Sequence, residues 1–271
     1  MANGAWSVAS PNLDRRSAMA WMSAGGLGLA TAGQGAEMDE THPVLELRQY
    51  KIVRGQRDRM VALFEREFVE SQEVLGMHLV GQFRDLDDPN RFTWIRSFPS
   101  MADRGRALNA FYFGPVWQAH RQEANPMLDD NDNVLLLRPA TLGSAFPPMP
   151  RPSGGPVPSG LVVATIHYLW KHAEEGFAAF FHDRLGPAFA QAGLPPLAAF
   201  VPETTPNNFP RLPVRQGEKV FVWFARARDA ADFERRRRTL RDVDLIAALE
   251  DFEERQAQIL RLAPTARSRL R

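Results

Sequence analysis

Two stretches of this chain resemble each other, and that likeness limits its fold more than anything else in it. Phe92-Thr93-Trp94-Ile95-Arg96 matches Phe221-Val222-Trp223-Phe224-Ala225. Met101-Ala102-Asp103 follows the first at the offset at which Ala230-Ala231-Asp232 follows the second. Leu136-Leu137-Arg138-Pro139 is echoed more weakly by Arg261-Leu262-Ala263-Pro264. Self-similarity at one period means two copies of one supersecondary unit.

The patterning around the repeat says which unit. Residues 44–53 alternate apolar and polar side chains, as a strand does. Gly55 turns the chain, and residues 56–75 place Met60, Leu63, Phe64, Phe68 and Leu75 at helical spacing. Residues 77–84 and 91–98 read as strands around the turn Asp87-Asp88-Pro89-Asn90. Residues 100–111 read as a helix, and residues 133–138 as a strand whose continuous apolar run suits burial on both faces. The second copy reads the same way. Strands fall at 161–170, 197–201 and 218–227, an irregular loop at 202–216, and helices at 173–192, 229–240 and 243–257. Residues 259–262 make a short last strand. Each half is therefore β-α-β-β-α-β, the ferredoxin-like unit. Its helices cover one sheet face and leave the other apolar face in need of a partner. The expected fold class is α+β, with tandem ferredoxin-like repeats packed sheet against sheet as an α+β barrel.

The domain bounds follow. Residues 41–139 are the first unit and residues 161–271 a degenerate second one. Residues 140–160 carry Pro147, Pro148, Pro150, Pro152, Pro156 and Pro158 around Gly154-Gly155. Such a run suits neither ladder nor helix, so it is a linker or an extended crossing strap. Residues 1–40 read as a leader. Arg15-Arg16 precedes a mildly apolar run from Ala18 to Ala32, with small-residue cleavage options at Ala30-Thr31-Ala32 or Gln34-Gly35-Ala36. That order fits a twin-arginine-type export signal and a periplasmic or secreted protein. The protein is cytoplasmic if the leader is not a signal. The run is too short and too rich in Gly and Ala to span a membrane.

Composition excludes several classes. No Cys is present among the 271 residues, which removes thiolate catalysis and Cys-ligated metals. The formal net charge is +1, so no overall field favours nucleic acid. Arg235-Arg236-Arg237-Arg238 is diluted by Asp232 and Glu234 and reads as a solvated helix face. Asp129-Asp130-Asn131-Asp132-Asn133 lacks the Gly and Glu of a calcium loop. It is a polar turn whose carboxylates pair with Arg121 or Arg138. No nucleophile elbow or phosphate-binding loop is present.

The chemistry concentrates in residues 111–126. Gly114-Pro115 starts a helix and Asn125-Pro126 stops it. Within it Trp117, His120, Arg121 and Ala124 fall at i, i+3, i+4 and i+7, on one face. An indole, an imidazole and a guanidinium together suit an aromatic or anionic small molecule.

Three stretches resemble the NIPSNAP family, within the dimeric α+β barrel superfamily. They are Glu46-Leu47-Arg48-Gln49-Tyr50 with Gly55, Asn90-Arg91-Phe92-Thr93-Trp94-Ile95-Arg96-Ser97-Phe98, and Phe111-Tyr112-Phe113-Gly114-Pro115-Val116-Trp117 with His120. The resemblance covers residues 44–139 and says little about activity. It implies a superfamily that holds cofactor-free monooxygenases, haem-degrading and haem-binding proteins, and modules without catalysis. Two readings compete. One is a cofactor-free oxygenase acting on a phenol or quinol. His120 would be the base, and Arg48, Arg96 or Asn125 would stabilise the anion. Tyr50, Trp94, Tyr112 and Trp117 would form a dry wall. The other is a non-catalytic periplasmic binding or assembly module of the same fold. Haem binding through His167, on a strand facing the barrel, or His182 is a third. No metal or cofactor is otherwise implied. The partner expected is a small aromatic ligand, with room for a homodimer. The second half lacks the 111–120 motif, so one pocket is expected, in the first half.

Overall fold

The computed structural model describes residues 42–152 and 155–271. The leader, its Arg15-Arg16 pair and its cleavage options lie outside the described residues.

The first half runs β1 (Val44–Ile52), α1 (Arg57–Leu63), a π-turn (Phe64–Phe68), α2 (Glu70–Glu73), β2 (His78–Asp85), β3 (Arg91–Phe98), α3 (Met101–Tyr112), α4 (Pro115–Ala124), β4 (Leu128–Asp130) and β5 (Val134–Pro139). The second runs β6 (Leu161–Leu169), α5 (Phe177–Phe180), a π-turn (Phe181–Leu185), α6 (Gly186–Gln191), β7 (Ala198–Pro202), β8 (Val220–Ala227), α7 (Ala230–Arg237), α8 (Val243–Phe252) and β9 (Glu253–Pro264). The first helical segment of each half widens into a π-turn at the same stage. π-turns of this kind recur at functional sites.

Neighbouring strands run β5-β1-β3-β2 in the first half and β9-β6-β8-β7 in the second. That is the ferredoxin-like order twice. The open edges then meet each other: β2 pairs with β9 (Phe83 opposite Pro264) and β5 with β7 (Leu137 opposite Pro202), both antiparallel. The eight long strands close into a barrel, which removes the edges on which sheets otherwise associate. The short β4 adds only to the end of β1.

Alternation along the strands makes three apolar layers. Leu45, Leu47, Ile95 and Leu135 face inward with Ile166, Val222, Phe224 and Leu260. The greasy faces of the two halves therefore share one interior. The residues between them on each strand point outward under the helices, as one outer layer per half. The matching Met101-Ala102-Asp103 and Ala230-Ala231-Asp232 prove to be matching helix starts. Ser100 and Asp229 each accept the backbone N–H of the third helical residue, Asp103 and Asp232 respectively, so each caps its helix.

The segment before the undescribed residues 153 and 154 packs on the barrel as a strap. Phe146 lies inside the barrel, its ring centroid 5.3 Å from that of Phe200 and 4.9 Å from that of Phe224. Ser144 Oγ donates to the Ala199 carbonyl at 2.8 Å. The Arg151 guanidinium reaches Glu73 and the Arg267 carbonyl.

Two expectations need correction. The helix expected over 243–257 ends at Phe252, and the short strand at 259–262 is a 12-residue strand, β9. Glu253 to Gln256 are good helix formers, but β9 must pair with β6 over most of its length and with β2 at its end. Ladder hydrogen bonds outweigh local propensity there. In the 129–133 turn, Asp129 pairs with Lys51 at 2.6 Å, while Arg138 pairs with Glu174 at 2.5 Å. Neither Arg121 nor Arg138 takes the carboxylates assigned to them, because β4 turns them toward β1. Among the described residues no helix is long and apolar enough to cross a membrane.

Candidate functional site

Between the first half's sheet and its helices lies a cavity of about 640 Å³. β1 and β3 form its floor with Tyr50, Phe92 and Trp94, and the π-turn sends in Phe64 and Phe68. α3 and α4 contribute Phe111, Tyr112, Trp117, Arg121 and Ala124, and Asn125 follows. The joint between these helices is Gly114. A Cβ there would lie 2.4 Å from the Ala110 carbonyl oxygen, so only glycine allows α4 to fold back so sharply. The second half closes the rim with the loop after β7. Phe209 stacks on Tyr112 at 5.6 Å, and Arg211 and Leu212 join the lining.

On the same sheet face, beside this floor and under the helices, is a buried charge cluster. Glu46 Oε2 accepts from Arg48 Nη1 and Arg96 Nε, each at 2.8 Å, and Oε1 accepts from Arg104 Nε at 2.7 Å. All four side chains are fully buried. Further bonds fix each arginine. Arg96 Nη1 donates to Gln72 at 2.8 Å, and Arg104 Nη1 donates to Asn207 at 3.0 Å and Asn208 at 2.7 Å. Three guanidiniums share one carboxylate, so the cluster carries excess positive charge where desolvation costs several kcal/mol per ion. Burial alone would push the Glu46 carboxyl up. Arg96, Arg48 and Arg104 outweigh it and hold Glu46 well below the usual carboxylate range. The Arg48 and Arg96 guanidiniums also lie 5.4 and 4.9 Å from the centroid of the Trp94 ring.

Tyr50 links cluster to cavity. Its oxygen accepts from Arg48 Nε at 2.8 Å. Burial raises its pKa above the ordinary value, more than Arg48 and Arg96 lower it, so it remains a phenol at neutral pH. With its oxygen engaged by a cation, its own proton is free to be donated to a group in the cavity it lines.

No curated protein sequence matches this chain. Residues 45–141 match the NIPSNAP family model. The first half carries a NIPSNAP domain. Solved structures resemble both halves together. A "putative monooxygenase" from Fusobacterium nucleatum subsp. nucleatum is 11% identical over 83% of this chain and 93% of its own, with a TM-score of 0.54. Another from Lactobacillus acidophilus NCFM is 11% identical over 82% and 94%, at 0.52. An anthrone oxidase-like protein is 10% identical over 84% and 92%, at 0.52. At such identities the likeness is one of fold, and it extends across the whole barrel.

Of the residues expected in the site, the NIPSNAP domain brings Tyr50, Trp94, Tyr112, Trp117 and Asn125 together on the cavity wall. Arg48 and Arg96 stand beside that wall on the same sheet face, bound to Glu46. His120 does not join them. Its Nε2 lies 3.3 Å from Glu67 and its ring edges Phe68, so it stands at the flank of the lining face and outside the lining. The lining face of α4 is centred between Trp117, Arg121 and Gln118, and His120 sits roughly 100° round from that centre. The stripe 117-120-121-124 was the right helix with its face turned too far.

Some residues of the charge cluster and the rim gave little local signal. Arg104 carried one: with Ala107, Leu108 and Phe111 it completes an i, i+3, i+4, i+7 stripe, and all four are buried. Asn207, Asn208, Phe209 and Arg211 carried none, since their role depends on the second half reaching across the first. The other histidines also fall elsewhere. His167 faces the helices, not the barrel interior, with Nδ1 2.6 Å from Glu253. His182 lines a depression beneath the strap. Among the described residues no three His, Asp or Glu side chains converge as metal ligands would. Nor is the NIPSNAP cavity alone: the second half encloses one of about 340 Å³ between its own sheet and helices. The second half lacks the 111–120 motif, but the same topology still leaves a space, lined in part by Phe189 and Phe233.

Proposed function

We propose that the NIPSNAP cavity binds a flat aromatic molecule as its oxyanion, a phenolate or quinolate. The observation that carries this reading is the Arg48–Tyr50 pair. It sets one neutral phenol, its oxygen held by a buried cation, in the lining of an aromatic-walled space. Arg121 and Arg211 add positive charge at the rim, and Gln72, Gln118 and Asn125 add neutral donors. Among the described residues no carboxylate or imidazole lines the cavity, so none of them repels an anion there.

A second reading is that the bound anion reacts directly with dioxygen, as in a cofactor-free oxygenase. What favours it is the combination of an oxyanion donor with a dry aromatic wall, which are the two things such a reaction asks of a protein. With no base on the wall, the ligand's proton would leave to solvent as the anion is bound. The names of the structural neighbours are compatible with this chemistry and add no residue to it.

The test is a titration of 4-nitrophenol, whose phenolate absorbs at longer wavelength than the phenol. At fixed pH the protein should raise the phenolate fraction. Tyr50→Phe should weaken phenolate binding by about ten- to a hundredfold, the worth of one hydrogen bond to a charged group. Preferential binding of the neutral phenol, or no effect of Tyr50→Phe, would count against the reading. Dioxygen uptake with an anthrone or quinol then separates catalyst from binding module.

A further inference from the structure

We infer that the second half holds a binding site of its own, for a small hydrophobic cation such as an alkyl- or arylammonium, received by Glu253. The inference does not depend on the reading of the first cavity.

The strand register shows what changed between the copies. Arg48 stands opposite Trp94 in the first half, and Thr165 stands opposite Trp223 in the second. Glu46 faces Arg96 where Val163 faces Ala225, and Tyr50 faces Phe92 where His167 faces Phe221. The guanidiniums that suit the first cavity to anions are therefore absent from the second. An imidazole occupies the place of the phenol.

That imidazole is neutral by geometry. His167 is 3% exposed. Its Nε2 accepts the Trp223 indole N–H at 3.1 Å, so it carries no proton. The one ring proton sits on Nδ1 and is donated to Glu253 Oε1 at 2.6 Å. The histidine thus orients the Glu253 carboxylate through its one ring proton. Among the described residues that carboxylate has no other hydrogen bond or ion pair. Thr165 lies on the same strand face as His167, is 6% exposed and lines the cavity. Its hydroxyl makes no hydrogen bond among the described residues, so it offers a further acceptor to the same cavity.

The remaining lining fits the same ligand. Asp242 and Glu250 add negative charge, against one cation, Arg237, which is paired with Glu234 at 3.2 Å. Leu185, Phe189, Phe233, Leu245 and Leu249 supply an apolar wall. Ile246 stands at the rim, 44% exposed. A space of about 340 Å³ takes a ligand the size of a benzylammonium ion. An ammonium group needs a carboxylate and further acceptors for its three N–H bonds. Its hydrocarbon needs dry walls, and both are here within one cavity.

Calorimetric titration of the whole protein with benzylammonium chloride at pH 7 tests this. Two variants locate the site. Glu253→Gln removes the charge but keeps an oxygen for the His167 N–H. Ile246→Trp narrows the mouth from an exposed position and leaves the fold intact, which a thermal melt verifies. The expected result is saturable binding that each variant weakens tenfold or more. No saturable binding at millimolar concentration, or binding that either variant leaves unchanged, overturns the inference.

Discussion

The two outer layers of this barrel have one plan and two chemistries. Both put helices broken by a π-turn over a β-α-β-β-α-β sheet, and both put a tryptophan at the same register, Trp94 and Trp223. Under the first set of helices lies a buried carboxylate gripped by three guanidiniums. Under the second, Val163, Thr165 and Ala225 hold the matching positions of Glu46, Arg48 and Arg96. The comparison teaches that register fixes where a side chain stands and leaves open what it does. Duplicated topology preserved the space between sheet and helices. Substitution of a few outward-facing strand residues reversed the charge that space prefers.

The sharpest way to break this comparison is to remove the charged centre of the first layer. Glu46→Gln leaves Arg48, Arg96 and Arg104 buried without their shared anion. Breaking a buried ion pair in this way costs about 3–5 kcal/mol. Val163→Ala at the matching position removes only two buried methyl groups and should cost about 2 kcal/mol. Urea unfolding of the two variants measures the difference. Acid adds a second readout. The folded pKa of Glu46 lies below its unfolded value, so its contribution is fully present above about pH 4.3 and is lost as pH falls toward the folded value. Wild-type stability should therefore fall more steeply than that of Glu46→Gln between about pH 5 and 2. Equal costs at Glu46 and Val163, or parallel acid profiles, would show that the cluster is not what distinguishes the halves.

A smaller effect separates the two tryptophans. Trp223 Nε1 donates to buried His167, whereas Trp94 Nε1 has no hydrogen-bond partner among the described residues. Trp223→Phe strands a buried acceptor, at a cost of about 1–3 kcal/mol beyond the lost ring area. Trp94→Phe strands nothing and keeps a ring beside Arg48 and Arg96. Thermal melts should place Trp223→Phe below Trp94→Phe. The opposite order would mean that the Trp94 cation–π contacts outweigh the Trp223 hydrogen bond.

The contrast also explains what could be read from sequence. Closure of the barrel was legible because it rests on period-two alternation and on a repeat, both local signals. Leu45 and Leu47 point one way and Glu46, Arg48 and Tyr50 the other whatever lies around them. The wall residues Tyr50 and Trp94 were legible for the same reason, and Tyr112 and Trp117 because they sit in the aromatic stretch around the Gly114-Pro115 helix start. His120 was misplaced because a helix face read from four positions is uncertain by a fraction of a turn, and only packing settles the rotation. The length of β9 was hidden because its partners, β6 and β2, lie far off in sequence. The Glu253–His167–Trp223 chain was hidden with it, since Glu253 looked like helix until β9 was seen to begin there. Arg211 was out of reach altogether: nothing in a Pro- and Asn-rich loop announces that it will roof the other half's cavity.

That roof supplies the smallest effect and the finest probe. Arg211 belongs to the second half, yet its guanidinium stands 4.8 Å over the exposed Phe113 ring at the rim of the NIPSNAP cavity. Being exposed and outside every core cluster, it should contribute within about 0.5 kcal/mol to stability. For an anionic ligand it is a partly screened charge, worth about 1 kcal/mol or less. Arg211→Met should therefore leave the melting curve in place and weaken 4-nitrophenolate binding about two- to fivefold, with the loss shrinking as salt is added. It should not alter benzylammonium binding, because the Glu253 cavity lies under a different set of helices. A loss of both ligands would mean that the two spaces communicate. A loss of neither would mean that the first cavity recognises its anion through Tyr50 and the buried arginines alone, with the second half serving only to close the barrel.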